Sequence, residues 1–431
     1  MGIPARMTSF DSTTTAAAEI PIADPPDWRS RRPYHAGVPS SSEPLRVLVA
    51  YGTRPEAIKM APVIATLKKT RHLQPVVAVS GQHREMLDQV NELFEIVPDH
   101  DLDIISPGQS LTAITTRALA GYSLLLEDEP VSAVIVQGDT TTTFAAALAG
   151  FYHQIPVVHV EAGLRTDNPM SPFPEEINRR LTTQVASLHL APTPLNKIHL
   201  MRDGVPEAAI RVTGNTIIDA FLDVASRGTP VGDASVDQAI ADGRRIMLLT
   251  AHRRESWGEP MAGIGRAVAE LARRHPDILV VLPVHRNPRV RECLIPPLRG
   301  VRNVVVLEPL AYAPFCSLIA ASALVLTDSG GLQEEAPSVG KPVLVMRDTT
   351  ERPEAVHAGT VALVGAKEEE IIRMGSMLLD DRETYRAMSR AVNPYGDGVA
   401  AGRCVAAIER LLGVGEELPE FAPDAVEQAG T

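Results

Sequence analysis

Several residue types are scarce in this sequence, and each scarcity argues against a class of protein. The three cysteines, Cys293, Cys316 and Cys404, have neither metal-site nor disulfide spacing, which indicates a reducing compartment. No apolar run approaches the roughly 20 residues that a membrane-spanning helix needs. The N-terminus also lacks the continuous apolar segment of a secretory signal. We therefore expect a cytoplasmic protein that does not associate with a membrane.

Positive charge is in deficit as well. The chain has 41 lysines and arginines against 53 aspartates and glutamates, a formal net charge of −12 at pH 7. This balance argues against a nucleic-acid-binding surface, although a local basic pocket remains compatible with it. Only 4% of the residues are aromatic, but 45% are hydrophobic, and 431 residues suffice for two domains with full cores.

The two ends of the chain differ in composition from the middle. Residues 1–44 are rich in Ser, Thr and Pro, and residues 415–431 are acidic and interrupted by proline. Such segments bury too little apolar surface to offset the chain entropy that ordering costs. Both ends are therefore predicted to be disordered tails.

Between the tails, short apolar runs rich in β-branched residues alternate with helical patterns. Nine such runs predict strands that are buried on both faces. They are LRVLVA, PVVAVS, AVIVQ, PVVHVEAG, RIMLLTAHRR, DILVVLPVHR, NVVVLEP, ALVLTDSGG and KPVLVMRD. The spacing predicts parallel sheets with right-handed crossovers, and nine strands are too many for one regular sheet. We expect an α/β protein of two Rossmann-like halves, with a hinge at VTGNTIID (212–219).

The polar residues that follow these runs are the candidates for a site, because ligands of such sheets bind beyond the carboxyl ends of the strands. Seven polar segments occupy such positions: YGTRPEAIK, SGQHRE, QGDTTTT, VEAGLRTD, TAHRRE, PVHRN and TDSGGLQEE. Any one of them could be only a turn and a helix cap. Seven together favour a cleft between the two halves.

The sequence contains neither GxGxxG nor a P-loop pattern, so tightly bound NAD is not indicated, and we expect no cofactor and no metal. Ser329, Gly330 and Gly331 nevertheless follow a strand at the start of a predicted helix. Exposed N–H groups and the helix dipole suit a phosphate there, and a simple turn is the alternative. Cationic residues that could hold a diphosphate follow other strands: Arg54, Lys59, His252, Arg253 and Arg254. Lys59 could instead be a solvated surface lysine.

Long segments, in order, resemble the non-hydrolysing bacterial UDP-N-acetylglucosamine 2-epimerases. They are GTRPEAIKMAPVI, GQHREML, GDTTTTFAAALAGFYHQIPVVHVEAGLRT, PFPEEINRR, TAHRRES and TDSGGLQEEAPSVGKPVLVMRDTTERPEAV. The resemblance covers roughly residues 45 to 415 and implies a GT-B-like fold and a homodimer. It implies an N-terminal domain (45–213), a UDP-binding domain (214–396) and a helix (397–414) that crosses back to the first domain.

The resemblance also implies a reaction. These enzymes eliminate UDP from UDP-N-acetylglucosamine to give 2-acetamidoglucal, and then add UDP back to give UDP-N-acetylmannosamine. Such chemistry needs acid–base groups on both faces of C2 and cations for the leaving diphosphate. By motif, Asp139, Glu161 and Glu175 match the catalytic acids, and His252 matches the histidine that stabilises UDP. The residues that match contacts to the nucleotide or the sugar are Arg54, Lys59, Arg179, Ser329, Gly330, Gly331 and Glu335, with Arg253 as a further candidate.

Gln82 and His83 match a segment at which a second substrate molecule activates such enzymes, and a solvent-facing helix start is the alternative. For the acids, Asp139 could cap the helix that follows it, Glu161 could pair with Arg165, and Glu175 could cap a helix or pair with Arg179.

Three other functions stay open: a hydrolysing 2-epimerase, a GT-B glycosyltransferase, and a protein that only binds sugar nucleotides. The Pro-Glu and lysine of GTRPEAIK favour retention of UDP, and the presence of all three acids and His252 argues against a silent binder. The product of such an epimerase commonly supplies polysaccharide biosynthesis.

Overall fold

The computed structural model describes residues 43–81, 84–104, 108–166 and 168–423. Most of the predicted N-terminal tail and the candidate regulatory residues Gln82 and His83 lie outside these ranges. Within them, the strands form two parallel sheets, one of seven strands and one of six. The α/β architecture with two parallel-sheet domains is therefore confirmed.

The first sheet has the strand order β3-β2-β1-β4-β5-β6-β7. Its strands are β1 (Leu45–Tyr51), β2 (Leu73–Val79), β3 (His100–Asp101), β4 (Ala133–Gln137), β5 (Val157–Val160), β6 (Leu188–Ala191) and β7 (Ile210–Val212). The four runs predicted in this half correspond to β1, β2, β4 and β5. The three strands that were not predicted are short, and two of them lie at the sheet edges, where few apolar residues are needed.

Seven helices accompany this sheet. They are α1 (Arg54–Leu67), α2 (Arg84–Leu93), α3 (Leu111–Asp128), α4 (Thr141–Tyr152), α5 (Glu175–Val185), α6 (Pro194–Arg202) and α7 (Thr216–Ser226), with a 3₁₀ turn at Glu207–Ala209. Side-chain caps fix where several of them begin. Thr140 accepts the N–H of Thr143 at the start of α4, and Asn215 accepts the N–H of Ile217 at the start of α7.

The second sheet has the order β10-β9-β8-β11-β12-β13. Its strands are β8 (Arg245–Thr250), β9 (Ile278–Pro283), β10 (Val304–Leu307), β11 (Ser322–Thr327), β12 (Val343–Val345) and β13 (Val361–Leu363). The first five correspond to the five predicted runs, and the short edge strand β13 was not predicted. All neighbouring strands run parallel, so their carboxyl ends share one edge of the sheet.

The helices of this half are α8 (Ala234–Ala241), α9 (Glu259–Arg274), α10 (Pro288–Leu298), α11 (Tyr312–Ala321), α12 (Leu332–Glu335), α13 (Pro353–His357), α14 (Glu368–Asp380), α15 (Arg382–Arg390) and α16 (Ala400–Leu411). Two 3₁₀ turns lie at Arg254–Ser256 and Ala336–Val339. Buried apolar side chains fill the space between sheets and helices.

Helix α16 returns to the first half of the chain, where it packs against α1, α7 and β6. The carboxylate of Asp219 on α7 accepts the N–H groups of Ala400 and Ala401 at 3.3 and 2.8 Å. Arg403 donates to the carbonyl of Thr213 at 3.3 Å. The start of α16 is thus fixed to the segment that follows β7.

The residues after α16 differ from the prediction of a disordered tail. Phe421 is buried, and its N–H donates to Val212 of β7 at 2.8 Å. Glu417 pairs with Arg211 at 2.8 Å. The predicted disorder is therefore wrong for residues 415–423, because one buried aromatic side chain and a backbone bond anchor an otherwise polar segment. Residues 424–431 lie outside the described part of the chain.

Candidate active site

Two predicted acids lie at neighbouring strand ends of the first sheet. Glu161 directly follows β5 and Asp139 follows β4 by two residues, and β4 and β5 are paired in parallel. Gly138 lies between the end of β4 and Asp139 and has φ of +73°. A Cβ at Gly138 would lie 3.6 Å from a carboxylate oxygen of Glu161. Burial and, to a lesser extent, the nearby Glu161 carboxylate raise the pKa of Asp139, in keeping with their positions at paired strand ends.

Glu161 is a buried carboxylate with several donors. Lys59 Nζ on α1 lies 2.5 Å from both of its oxygens, and Asn215 donates to Oε1 at 3.1 Å. Gln137 also donates to it. Burial opposes ionisation, but the Lys59 ammonium and these donors outweigh it, so the pKa of Glu161 lies below its ordinary value. The backbone of Glu161 has φ of 61°, a strained conformation for a residue other than glycine.

Both alternatives for this pair are wrong. Lys59 is not a solvated surface lysine, since 19% of its side chain is exposed and its ammonium contacts Glu161. Arg165 does not pair with Glu161, because its Nε donates to Asp203 at 2.7 Å and its Nη2 donates to Thr183 at 2.9 Å.

Asp139 has a different electrostatic setting. Burial raises its pKa above the ordinary value, although its partner Arg179 on α5 acts in the opposite direction. Asn178 donates to the backbone carbonyl of Asp139 at 3.0 Å. Asp139 does not cap α4, as one alternative proposed, because the capping side chain is that of Thr140. The Asp139 carboxyl is therefore paired with Arg179 and does not accept an N–H group at the start of α4.

Glu175, the third predicted acid, is the first residue of α5 and is half-buried. Its side chain forms no hydrogen bond or ion pair with any other residue that the structure describes. The alternative pairing with Arg179 is wrong, since Arg179 contacts Asp139 and Glu176. Glu176 is fully buried, pairs with Arg180 at 2.6 Å and holds α5 in place. Glu175 also does not cap α5, whose N-cap position is Pro174.

His252 follows β8 and is oriented by Asp328, which follows the neighbouring strand β11. Its Nδ1 lies 3.0 Å from Asp328 Oδ1, and Asp328 Oδ2 accepts the N–H groups of His252 and Arg253 at 2.7 and 2.8 Å. Burial opposes ionisation of Asp328, but the His252 side chain and these N–H groups hold its pKa below the ordinary value. The His252 side chain is 42% exposed, so Nε2 remains available to a ligand.

The Ser329–Gly331 segment follows Asp328 directly. The N–H of Ser329 donates to the Thr327 hydroxyl at 2.9 Å. A Cβ at Gly330 would lie 2.6 Å from Nη1 of Arg352, so only glycine allows this guanidinium to approach the backbone so closely. The segment is thus more than a turn, because it lies against a buried cation.

Asn215 joins the two halves of the site. Its Nδ2 donates to Glu161 Oε1 at 3.1 Å and to Glu334 Oε2 at 2.8 Å, which uses both amide hydrogens. Glu334 is paired in turn with Arg352. The motif TGN was interpreted only as a hinge, and Asn215, Glu334 and Arg352 were missed. The one available signal was the position of Asn215 at the carboxyl end of a strand.

Residues 65–409 match the family described as UDP-N-acetylglucosamine 2-epimerase. The chain belongs to this family. A UDP-N-acetylglucosamine 2-epimerase of Yersinia pestis is 52% identical over 370 residues, which are 85% of this chain and 98% of that protein. An enzyme of the same name from Escherichia coli K12 is 50% identical over 370 residues, with the same coverage. The family that the sequence motifs indicated is confirmed.

Solved structures agree with this assignment. The UDP-N-acetylglucosamine 2-epimerase of Neisseria meningitidis, described as bound to UDP-N-acetylglucosamine, is 48% identical with a TM-score of 0.74, and covers 86% of this chain and 100% of that one. A protein of Listeria monocytogenes is 45% identical with a TM-score of 0.81, with coverage of 87% and 100%. A glycotransferase of kitacinnamycin, 12% identical with a TM-score of 0.58, shares the fold alone, in agreement with the predicted GT-B-like architecture.

Three other residues that were predicted to contact the substrate, Arg54, Arg253 and Glu335, are buried or half-buried. Arg54 begins α1 and is half-buried. Arg253 is also half-buried, and its Nε is buried without a partner among the described residues. Glu335 is buried, and burial together with the neighbouring Glu334 raises its pKa to about 7. The hydroxyl of Tyr312 donates to it at 3.3 Å.

A cavity of about 260 Å³ is lined by residues of both halves, among them Glu161, Asn215, Glu334, Arg352 and Tyr395. Among the described residues, no group of three or more His, Cys, Asp or Glu side chains is arranged to hold a metal ion. No helix within the same residues is long and apolar enough to span a membrane.

Proposed function

We propose that this protein interconverts UDP-N-acetylglucosamine and UDP-N-acetylmannosamine by inverting C2, with UDP retained. The chain matches the epimerase family over residues 65–409. A 48% identical relative has been solved with UDP-N-acetylglucosamine bound. The proposal extends that relative's ligand to this chain.

The reaction that fits is elimination followed by re-addition. C2 is not adjacent to a carbonyl, so its proton is not acidic enough for simple removal. In the elimination, the C1–O bond breaks, UDP departs with the bonding electrons, the C2 proton leaves, and the C–H electrons form the C1–C2 double bond. Addition of UDP to C1 and of a proton to the opposite face of C2 completes the inversion. No external oxidant or reductant is required.

One observation carries the proposal: two adjacent carboxyls of the first sheet have opposite preferences for a proton. The pKa of Asp139 is raised and that of Glu161 is lowered. A site that removes a proton on one face of a carbon and supplies one on the other needs groups in different protonation states. We assign proton transfer at C2 to the group of Asp139, Glu161 and Glu175, without dividing the two faces among them.

The second half supplies groups for the leaving diphosphate. Asp328 fixes the His252 imidazole by Nδ1, which leaves Nε2 for a phosphate oxygen. The backbone of Ser329–Gly331 and the cations Arg54 and Arg253 are proposed to contact the same diphosphate, and buried Glu335 to accept hydrogen bonds from the ribose. Donors fixed before the reaction stabilise developing negative charge without a cost of reorganisation.

Product analysis tests the proposal. Purified protein is incubated with UDP-N-acetylglucosamine alone and followed by proton and phosphorus NMR. We expect an equilibrium mixture of the two UDP sugars with the diphosphate ester intact. Accumulation of UDP with free N-acetylmannosamine would establish a hydrolysing enzyme, and turnover only after addition of an acceptor would establish a glycosyltransferase.

We propose further that the protein is a cytoplasmic homodimer whose product supplies polysaccharide biosynthesis. Helices α3 and α4 pack together and expose the apolar side chains of Leu124, Phe151 and Tyr152, at 62%, 42% and 63%. A self-complementary contact through this face would cover them. Light scattering should give twice the mass of the chain, and Leu124→Asp should give monomers. A wild-type monomer would contradict the dimer.

Gln82 and His83 are proposed to bind a second molecule of the substrate. The rate should then rise sigmoidally with the concentration of UDP-N-acetylglucosamine, and His83→Ala should remove the sigmoidal shape. A hyperbolic curve for the wild type would contradict this role.

A further inference from the structure

Glu56 is a buried carboxyl group with no role in the chemistry described above. It lies in the first turn of α1 and is 2% exposed. Its Oε2 accepts the N–H groups of Gly52 and Thr53 at 3.0 and 2.7 Å. Its Oε1 accepts the hydroxyl of Thr140 at 2.6 Å and lies 2.9 Å from the hydroxyl of Thr143. It is paired with no cationic side chain among the described residues.

A helix start alone does not account for this arrangement. The bond from Thr53 completes a capping box for α1, and a capping box needs only one carboxylate oxygen. The other oxygen of Glu56 binds hydroxyls that are 84 and 87 residues away in the sequence. Burial raises the pKa of Glu56, so this placement is unfavourable for the ionised group. The carboxyl group therefore joins two separate loops.

The second of these loops carries Asp139, and it is fastened at each of four consecutive residues. Three backbone carbonyls and one hydroxyl in the loop each have a partner from a different element. The contacts are Thr143 Oγ1 to Gln137 O at 2.6 Å, His159 Nε2 to Gly138 O at 2.7 Å, Asn178 Nδ2 to Asp139 O at 3.0 Å, and Thr140 Oγ1 to Glu56 Oε1 at 2.6 Å. Glu56 is the only one of these partners that also holds the loop before Arg54 and Lys59.

The two loops are packed closely enough to transmit a displacement. A Cβ at Gly52 would lie 2.0 Å from Ser80 Oγ and 2.5 Å from Thr142 Oγ1. Those two hydroxyls are hydrogen-bonded to each other at 2.8 Å. A shift of the loop at Gly52 therefore moves the start of α4 as well.

We propose that Glu56 is a positioning residue for the reaction: its single carboxyl group joins the β1–α1 loop to the β4–α4 loop and so sets the position of Asp139 relative to Lys59 and Arg54. This inference rests on the proposed function. A misplacement of about 1 Å can cost on the order of 100-fold in rate, so the join matters even though Glu56 does not touch the substrate.

The hydrogen-bond donors around Thr143 show which substitution of Glu56 preserves the connection between the two loops. Its hydroxyl has one hydrogen and two oxygen neighbours, Gln137 O at 2.6 Å and Glu56 Oε1 at 2.9 Å. When that hydrogen goes to Gln137, a proton on Glu56 completes the second contact. A glutamine amide offers two hydrogens at this place, one for Thr143 Oγ1 and one for Thr140 Oγ1, and it keeps an oxygen for the two backbone N–H groups. The Thr140 hydroxyl hydrogen, which Oε1 accepts in the wild type, can then go to Thr143 Oγ1 at 3.1 Å. Glu56→Gln should therefore act as a conservative variant.

The experiment compares four variants: Glu56→Gln, Glu56→Ala, Thr140→Val and the double variant Glu56→Ala/Thr140→Val. Each is assayed for kcat, KM, UDP affinity by calorimetry, and melting temperature. Thr140→Val removes the Glu56 contact on the Asp139 side, leaves the N–H contacts of Glu56 before Arg54, and also removes the cap of α4. Ser110→Ala is the matched control, because it removes the helix cap of α3, which bonds Ala113 at 3.2 Å, away from the cleft.

We expect Thr140→Val to lower kcat by about tenfold or more, with the Kd for UDP changed by less than about twofold. Glu56→Ala should lower both kcat and UDP affinity, since it also releases the loop before Arg54. The double variant should be no slower than the slower single variant, because both changes cut one connection. The kcat of Glu56→Gln should stay within about threefold of the wild-type value. Ser110→Ala should lower the melting temperature and leave kcat unchanged.

Wild-type kcat in folded Thr140→Val would overturn the proposal, whether or not Glu56→Ala folds. A loss in Thr140→Val that adds fully to that of Glu56→Ala would also overturn it. If the wild-type protein itself does not convert UDP-N-acetylglucosamine, the proposed function fails first. The UDP affinities then still report on the join, because Glu56→Ala should weaken UDP binding and Thr140→Val should not.

Discussion

Replacing Lys59 by methionine tests the central ion pair of the site. The substitution retains most of the apolar side chain and removes the ammonium that lies 2.5 Å from both oxygens of Glu161. Glu161 keeps its hydrogen bonds from Asn215 and Gln137 but loses its counter-charge, and only 6% of its side chain is exposed. Removing one partner of a buried pair costs about 3–5 kcal/mol in the free energy of unfolding. The two remaining donors place the expected loss near 3 kcal/mol.

The pKa of Glu161 determines how the expected loss of stability varies with pH. In the wild type the pKa of Glu161 is lowered, so the pair contributes stability that is complete above the pKa of the unfolded carboxyl and is lost as the pH falls through the folded value. Without the ammonium, burial dominates and raises the pKa of Glu161. The variant then gains stability relative to its own unfolded state as Glu161 takes up a proton. The stability difference between the two proteins should be largest near about pH 7 and should shrink toward about pH 5.

Urea denaturation followed by circular dichroism, at several pH values, measures this difference. Lys59→Met/Glu161→Gln should recover much of the loss at neutral pH, since it removes the unpaired charge. Lys197→Met is the control, because Lys197 pairs with the exposed Glu207 and such surface pairs are worth about 0–1 kcal/mol. A loss below about 1 kcal/mol, or one that does not change with pH, would refute the assignment of Lys59 and Glu161 as a buried, ionised pair.

Three further predictions concern the reaction and the tail. His252→Ala should slow single-turnover C1–O cleavage by about 10²–10³, or about 2.7–4 kcal/mol. It should also lower the melting temperature, since it removes the partner of the buried Asp328, and full activity per folded molecule would remove His252 from the mechanism. Product formed in deuterium oxide should carry deuterium at C2 by NMR, because the acids exchange protons with solvent, whereas complete retention of the original hydrogen would contradict transfer through them. Deletion of residues 1–40 should leave kcat nearly unchanged, since their composition offers little apolar surface to bury, and a large loss in a folded protein would assign them a role at the cleft or at an interface.

The fold could be predicted from the sequence wherever strands are buried on both faces. All nine apolar runs became strands, because central parallel strands need continuous apolar residues. The edge strands β3, β7 and β13 were missed since two or three residues carry no such pattern, and the interior strand β6 was missed since its four residues, LHLA, include a histidine and no β-branched residue. The ordered part of the C-terminal segment was also missed, because Phe421 is held by a backbone bond to Val212, which is distant in the sequence.

The site was predictable to a lesser degree. Motifs located Asp139, Glu161 and His252 at strand ends, but they did not identify the partners that decide how these groups behave. Asp328 is 76 residues from His252, and Asn215 is 54 residues from Glu161 and 119 from Glu334. Local spacing suggested Arg165 for Glu161 and Arg179 for Glu175. Arg165 instead pairs with Asp203, and Arg179 pairs with Asp139. Each arginine thus contacts a carboxylate that is distant in the sequence rather than the predicted neighbour.

The three acids proposed for proton transfer at C2 differ in their partners. Lys59 lowers the pKa of Glu161 against the effect of burial, so within this group Glu161 favours the ionised state, which accepts a proton rather than supplies one. Asp139 has a raised pKa despite Arg179, so its two protonation states are closer in free energy at neutral pH. The side chain of Glu175 is half-buried, and no described residue occupies its carboxylate. A reaction that must break a C–O bond, remove a proton and return one to the other face needs carboxyls in such unequal settings, because three equivalent acids would ionise together.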